Sequence, residues 1–202
     1  MTPQTIQTRF VDIAQGLSGE LAVAIANSPP LQLIPRQDSP FPERLCRAVA
    51  GQQLSVKAAA SIWARVVESA AEQPLVDYLA TVSPDTLRSC GLSGAKAKAM
   101  GAIAMATRAN QLNESLLCEL DHDDRTRCLT EIWGVGQWTA DMMGIFYFGD
   151  PDIWPDGDTT ARKNLERLTS RRRKTVRTAA RFAPYRSYLA LYMWHQADTP
   201  TV

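Results

Sequence analysis

The chain has 202 residues, 45% of them hydrophobic and 21% charged, which suits an ordinary globular fold with one large or two small cores. No apolar run approaches the roughly 18 residues of a membrane span, and the opening segment Met1–Gln15 lacks the basic start and apolar stretch of a secretory signal, so a cytoplasmic protein without a membrane partner is expected. Net charge is only +1, but residues 51–150 carry eight basic and twelve acidic groups while residues 151–202 carry ten and five.

Helical periodicity runs through the chain, and no alternating β-branched run bounded by turns suggests a strand. Residues 5–27 read as one helix or as two broken at Gly16–Gly19. Pro29, Pro30, Pro35, Pro40 and Pro42 make the next stretch a loop. Helices are then expected over Glu43–Gln53 and Ser55–Glu72, the second capped by Ser55. Ser83-Pro84 opens a short helix that stops near Gly91, and Ala95–Asn110 forms a long alanine-rich one. Asp124 is expected to cap a helix that runs to Ile132 and breaks at Gly134-Val135-Gly136. A helix resumes over about Gln137–Phe148, and Gly149–Gly157 is a loop. Asp158 stands where a helix over Thr159–Leu168 must begin, and helices over about Arg172–Phe182 and Pro184–Gln196 follow. The expectation is an all-α fold of two helical lobes with interleaved chain ends, a central lobe over about 55–150 and a second built from the N- and C-terminal helices.

Cys46, Cys90, Cys118 and Cys128 are scattered, without C-x-x-C spacing, and His122 and His195 are isolated. Zinc or iron–sulfur ligation needs clustered ligands, so these cysteines read as small hydrophobes on helices. Arg171, Arg172, Arg173, Lys174, Arg177 and Arg181 concentrate positive charge near the end of the chain. Such a cluster attracts phosphates, and it equally describes a solvated helix face.

The segment Leu129-Thr130-Glu131-Ile132-Trp133-Gly134-Val135-Gly136-Gln137-Trp138-Thr139-Ala140 places a helix, a tight turn and a second helix in succession. Two glycines around one apolar residue allow positive φ and close backbone approach. The amides after the turn suit an anion such as a DNA phosphate, and the alternative is a helical corner with no ligand. About twenty residues later Asp152-Ile153-Trp154-Pro155-Asp156-Gly157-Asp158 ends a Gly/Pro-rich loop on an aspartate, which by itself is a good helix N-cap.

Together these segments resemble the HhH-GPD superfamily of DNA glycosylases, named for its helix-hairpin-helix. Ala50-Gly51-Gln52-Gln53-Leu54-Ser55, Gly91-Leu92-Ser93 with Lys96, and Pro184-Tyr185-Arg186-Ser187-Tyr188 with Trp194 are similar to 3-methyladenine DNA glycosylases of the AlkA type. The resemblance covers about residues 40–197. It implies two lobes with a DNA-binding cleft between them, in a compact form without the N-terminal β domain of bacterial AlkA enzymes, for which the roughly forty preceding residues leave no room.

By that resemblance Asp158 is the catalytic aspartate that stabilises an oxocarbenium-like sugar, with Asp156 as its neighbouring competitor. Gln53 and Leu54 are the wedge that fills the hole left by a flipped base, although Leu54 could also be core. Trp138 and Trp194 are base-pocket aromatics, Met142 stands one turn beyond Trp138, and Trp133 is a lesser candidate. Gly134, Val135, Gly136 and Thr139 bind a DNA phosphate. The carbonyls of Thr130, Ile132 and Val135 would hold a Na+ or K+ ion, and no other cofactor is required. Trp138 stands where bifunctional relatives carry a lysine nucleophile, so no Schiff base is expected. The implied protein is a monomeric, monofunctional glycosylase acting on alkylated purines in double-stranded DNA, at the nucleoid if bacterial. Uracil, hypoxanthine or ethenoadenine as substrate, or a non-catalytic DNA-binding module, are the alternatives.

Overall fold

The computed structural model describes residues 1–198 and contains helices and loops only, with no strand among these residues. The helices are α1 (Pro3–Gln15), α2 (Gly19–Ala26), α3 (Phe41–Gly51), α4 (Val56–Ala70), α5 (Leu75–Thr81), α6 (Pro84–Ser89) and α7 (Gly94–Arg108). They continue as α8 (Glu114–Glu119), α9 (His122–Thr130), α10 (Gln137–Met143), α11 (Thr159–Leu168), α12 (Thr175–Ala179) and α13 (Arg186–Asp198). None is long and apolar enough to cross a membrane.

Short polar side chains start most of these helices. Thr2, Ser18, Ser55, Ser83, Ser93, Asn113, Asp121 and Asp158 each accept a first-turn amide, which satisfies a donor the helix itself cannot. The cap of α9 is Asp121 rather than Asp124. Asp121 accepts from the Asp124 amide at 2.8 Å, so Asp124 already lies in the first turn. The short helices α5 and α8 were not anticipated, because six or seven residues hold too little of a 3.6-residue period to register.

Two further segments depart from expectation. The helix read over residues 137–148 is α-helical only to Met143, and Gly144–Phe148 is a π-helical turn. The helix expected from Arg172 starts only at Thr175 and ends as a 3-10 turn over Ala180–Phe182. Lys174 offers no side-chain cap there, and the Thr175 hydroxyl donates to Asp156 at 2.5 Å instead.

The chain divides into two compact units, one of residues 1–35 and 144–198 and one of Arg36–Met143. The central unit thus begins before α3 rather than at about 55, and ends at Met143 rather than at about 150. In the first unit, Ile6, Phe10 and Ala14 of α1 share a core with Leu165 of α11 and Leu189, Tyr192 and Met193 of α13. Phe10 meets Phe182 edge-on at 4.9 Å between ring centroids. Burial of such side chains contributes about 1.5–3 kcal/mol each, so the two ends of the chain are held by the same apolar core.

In the central unit α3 buries Leu45, Cys46, Val49 and Ala50 along one face and packs on α7, α4 and α10. The alanine-rich α7 buries Ala97, Ala99, Met100, Ile103 and Ala104 and also receives α5 and α6. Small side chains on α7 let its neighbours approach closely, which matters at the hairpin. The cysteines divide evenly: Cys46 and Cys90 are buried, whereas Cys118 and Cys128 are exposed and are not core hydrophobes.

Candidate functional site

In the central unit, α3 ends in a bend, Gln52–Ser55, before α4. The last carbonyls of a helix need partners. Here the Lys96 ammonium of α7 supplies them, donating to the carbonyl oxygens of Ala50 at 2.9 Å and Gln52 at 2.7 Å. Burial lowers the Lys96 pKa from its ordinary value. The Gln52 side chain donates to the Thr139 hydroxyl of α10 at 2.9 Å. Fixed from behind in this way, the bend holds Gln53 at φ 58°, a left-handed conformation unusual for a non-glycine residue. Leu54 is 41% exposed and Val56 88% exposed. Leu54 is therefore not a core residue, and an apolar pair stands on the surface beside a braced turn.

The hairpin between α9 and α10 is equally specific. Gly134 has φ +86°, and a Cβ added there would lie 2.5 Å from the Cβ of Ala99 on α7. Gly136 differs from expectation: it has no positive φ, and nothing lies within 4 Å of its Cβ position. Of the two hairpin glycines, packing inside the protein requires only Gly134. Val135 is buried and its amide donates to the Ile132 carbonyl at 3.0 Å. Thr139 is buried too, its hydroxyl engaged by Gln52, so that side chain does not face solvent. The Thr130 hydroxyl donates to the Thr126 carbonyl. Behind the turn the buried Asp141 carboxylate accepts from Gln137 at 2.7 Å and lies 3.0 Å from His122 Nε2, which joins the start of α9 to α10.

Trp138 and Met142 are four residues apart on α10 and both are half-buried. Trp133 is 46% exposed, with the Lys98 ammonium 4.2 Å from its ring centroid.

In the other unit, α13 and its approach build the loop that ends at Asp158. Arg186 grips Asp152 with two parallel bonds, Nε–Oδ1 at 2.8 Å and Nη2–Oδ2 at 3.0 Å. The Ser187 hydroxyl donates to the Asp150 carbonyl at 2.7 Å and accepts from the Ile153 amide at 2.9 Å. Asp156 Oδ1 accepts from both the Trp154 indole at 3.1 Å and the Thr175 hydroxyl. Asp156, like Asp152, thus holds the loop together.

Asp158 is half-buried at the N-cap of α11, its Oδ1 accepting from the Ala161 amide at 2.8 Å and the Trp194 indole N–H at 2.9 Å. Trp194 lies against Phe146 of the π turn, with ring centroids 5.5 Å apart and planes tilted by 33°. One edge of Trp194 therefore positions the aspartate, a role that reading it only as a stacking surface misses. Lys96 and the Gln52–Thr139 bond act at the bend of the central unit, and Phe146 acts at Trp194 in the other, each across a long sequence distance. Only Lys96 had a local signal, through its place after Gly91-Leu92-Ser93.

A profile of the HhH-GPD superfamily of base excision DNA repair proteins matches residues 46–183. The chain is 31% identical over 160 residues to DNA-3-methyladenine glycosylase 1 of Schizosaccharomyces pombe, covering 75% of this chain and 70% of the relative. The structure of the 3-methyladenine DNA glycosylase from S. pombe in complex with abasic DNA superposes with a TM-score of 0.77 at 26% identity, covering 95% and 97% of the two chains. A DNA-3-methyladenine glycosidase from Bacillus halodurans gives a TM-score of 0.79 at 25% identity, covering 98% and 92%. With its helix-hairpin-helix and its Gly/Pro loop ending on Asp158, this chain belongs to the HhH-GPD superfamily of base excision DNA repair proteins.

Proposed function

We propose that the protein is a monofunctional DNA glycosylase that flips alkylated purines, of the 3-methyladenine and 7-methylguanine type, out of DNA and hydrolyses their glycosidic bonds. The observation that carries this reading is the aspartate at the end of the Gly/Pro loop. Asp158 is fixed through one carboxylate oxygen by a backbone amide and an indole N–H, and the loop is itself tied to α13 and α12. A carboxylate held in one orientation is what a developing sugar cation requires, because its stabilisation then costs no reorganisation.

The sequence of events is simple. Leu54 and Gln53 enter the duplex as the base leaves the stack. The alkylated purine is cationic, so the C1′–N bond breaks with its electron pair passing to the base, which departs neutral. Asp158 stabilises the oxocarbenium-like sugar, and water adds its oxygen to C1′, releasing a proton and leaving an abasic site. Trp138 stands where a Schiff-base lysine would be needed, so the deoxyribose is not attacked by an amine and the strand is not cut. Trp138 and Met142 on α10 are proposed to face the flipped base. An aromatic face favours a cationic ring by roughly 0.5–2 kcal/mol. That is too little to account for the whole selectivity, so much of it comes from the weakened bond of the alkylated base.

Amides at the start of α10, beside the open position of Gly136, are the proposed phosphate dock, and the carbonyl oxygens of Thr130, Ile132 and Val135 would hold a monovalent cation beside it. The Ile132 carbonyl already accepts from Val135, and its second lone pair fits a cation ligand. The ion would add positive charge at the phosphate. The protein is proposed to act as a monomer on damaged double-stranded DNA, in the cytoplasm and, if the host is bacterial, at the nucleoid.

The test is release of bases from methylated, deaminated and oxidised duplexes, with borohydride present in a parallel arm. Release of 3-methyladenine and 7-methylguanine with no trapped covalent adduct is expected. Ready release of uracil or oxidised guanine without methylated purines contradicts the alkylation assignment, and trapping through a lysine contradicts the monofunctional one.

A further inference from the structure

The basic cluster near the end of the chain takes no part in the function proposed above. Arg172, Arg173, Lys174, Arg177 and Arg181 line one open pocket of about 510 Å³, with Thr178 and with Gly16 and Leu17 beyond the end of α1. The five basic residues are exposed. No acidic residue lines the pocket, and none of the five side chains forms an ion pair among the described residues.

Gathering five like charges around one concavity destabilises a fold by self-repulsion unless an anion relieves it. The cluster is broader than a single small anion needs, and the hydroxyl of Thr178 is the one buried polar group in its lining, too little to select a metabolite. A polyanion with regularly spaced charges fits better. The segment is also tied to the Asp158 loop, since Thr175, directly after Lys174, donates its hydroxyl to Asp156.

Resting on the glycosylase reading, we propose that this pocket is a second DNA-binding site, which holds backbone phosphates outside the lesion and is separate from the hairpin. It contributes affinity without reading sequence, since phosphate contacts position a protein and carry no base information. Its signature is salt dependence: each phosphate neutralised adds about 0.9 to the slope of log affinity against log salt.

The experiment compares the intact protein with the triple variant Arg172→Ser, Arg173→Ser, Lys174→Ser and the double variant Arg177→Gln, Arg181→Gln. Binding to abasic-site and undamaged duplexes is measured by fluorescence anisotropy from about 50 to 200 mM salt. Excision of 7-methylguanine is measured in single turnovers at saturating protein, and thermal melting confirms folding. The triple variant should bind both duplexes at least about tenfold more weakly, with the salt slope reduced by about 0.9 for each phosphate that is no longer neutralised. Its excision rate at saturation should stay within about twofold of the intact protein. The double variant should change in the same direction.

Unchanged affinity and slope in both variants would overturn the proposal. So would weaker binding with an unaltered slope, or weaker binding to heparin with duplex affinity intact. Should the intact protein release no base at all while the variants still lose DNA affinity and slope, the phosphate site stands and the glycosylase reading fails.

Discussion

The wedge-and-hairpin region of the central unit and the Asp158 loop of the other unit are built on opposite plans. Around Asp158 the polar side chains saturate one another: Arg186 holds Asp152, Ser187 holds the backbone at Asp150 and Ile153, Thr175 holds Asp156, and Trp194 holds Asp158. Around the wedge the braces lie behind the bend, on Lys96 and Thr139, and the forward face shows a left-handed Gln53 and the exposed apolar side chains of Leu54 and Val56. The difference matches the two tasks proposed for these regions. A charge that stabilises a transition state must be oriented beforehand, so its surroundings are over-determined. A wedge must present shape and apolar surface to a partner, so its bonds point inward.

The largest expected effect separates the two hairpin glycines. Gly134→Val combines a β-branched residue at positive φ with a Cβ 2.5 Å from Ala99, and should cost about 3–5 kcal/mol in denaturant unfolding. Ala99→Gly in the same chain should recover part of that loss. Gly136→Val meets nothing inside the protein and should leave stability within about 0.5 kcal/mol, yet weaken binding to any duplex by about tenfold or more. If both substitutions act alike on stability, the hairpin is a packing corner and no phosphate dock.

Lys96→Met probes the brace behind the wedge. It leaves two helix-end carbonyls without their donor, and should cost about 1–2 kcal/mol of stability. It should also slow excision at saturating protein by several-fold, with little effect on a duplex that already contains an abasic site. Loss of stability without slower excision would reduce Lys96 to a structural cap. The smallest effect is expected at Trp194→Phe, which keeps an aromatic ring against Phe146 but removes the N–H held by Asp158. One hydrogen bond of about 1 kcal/mol corresponds to roughly fivefold slower excision, with abasic-site binding unchanged.

What the sequence made legible follows the range of the forces involved. Caps act within one turn, so Ser55, Ser83 and Asp158 could be placed from their own neighbours. The hairpin and the aspartate loop were visible for the same reason, and family resemblance supplied their roles. The Lys96 brace joins residues 44 and 46 positions apart, and Trp194 reaches Asp158 across 36. No local pattern carries such pairings. The burial of Thr139 and the open side of Gly136 are not legible in the sequence, because a run of residues cannot tell which side of a turn faces the core. The early end of α10 and the late start of α12 were missed because aromatic and basic runs remain compatible with continued helix.

The proposed role of Asp158 as the catalytic charge is tested most directly by Asp158→Asn. Asparagine caps helices as well as aspartate does and keeps an oxygen for the Ala161 and Trp194 donors, so this variant removes the charge while keeping the cap and the indole contact. Single-turnover release of 7-methylguanine and affinity for abasic-site DNA should be measured on the same folded preparation. Release should fall on the order of 10²–10³-fold, with affinity essentially preserved. Release at nearly the intact rate would show that Asp158 is only the N-cap of α11.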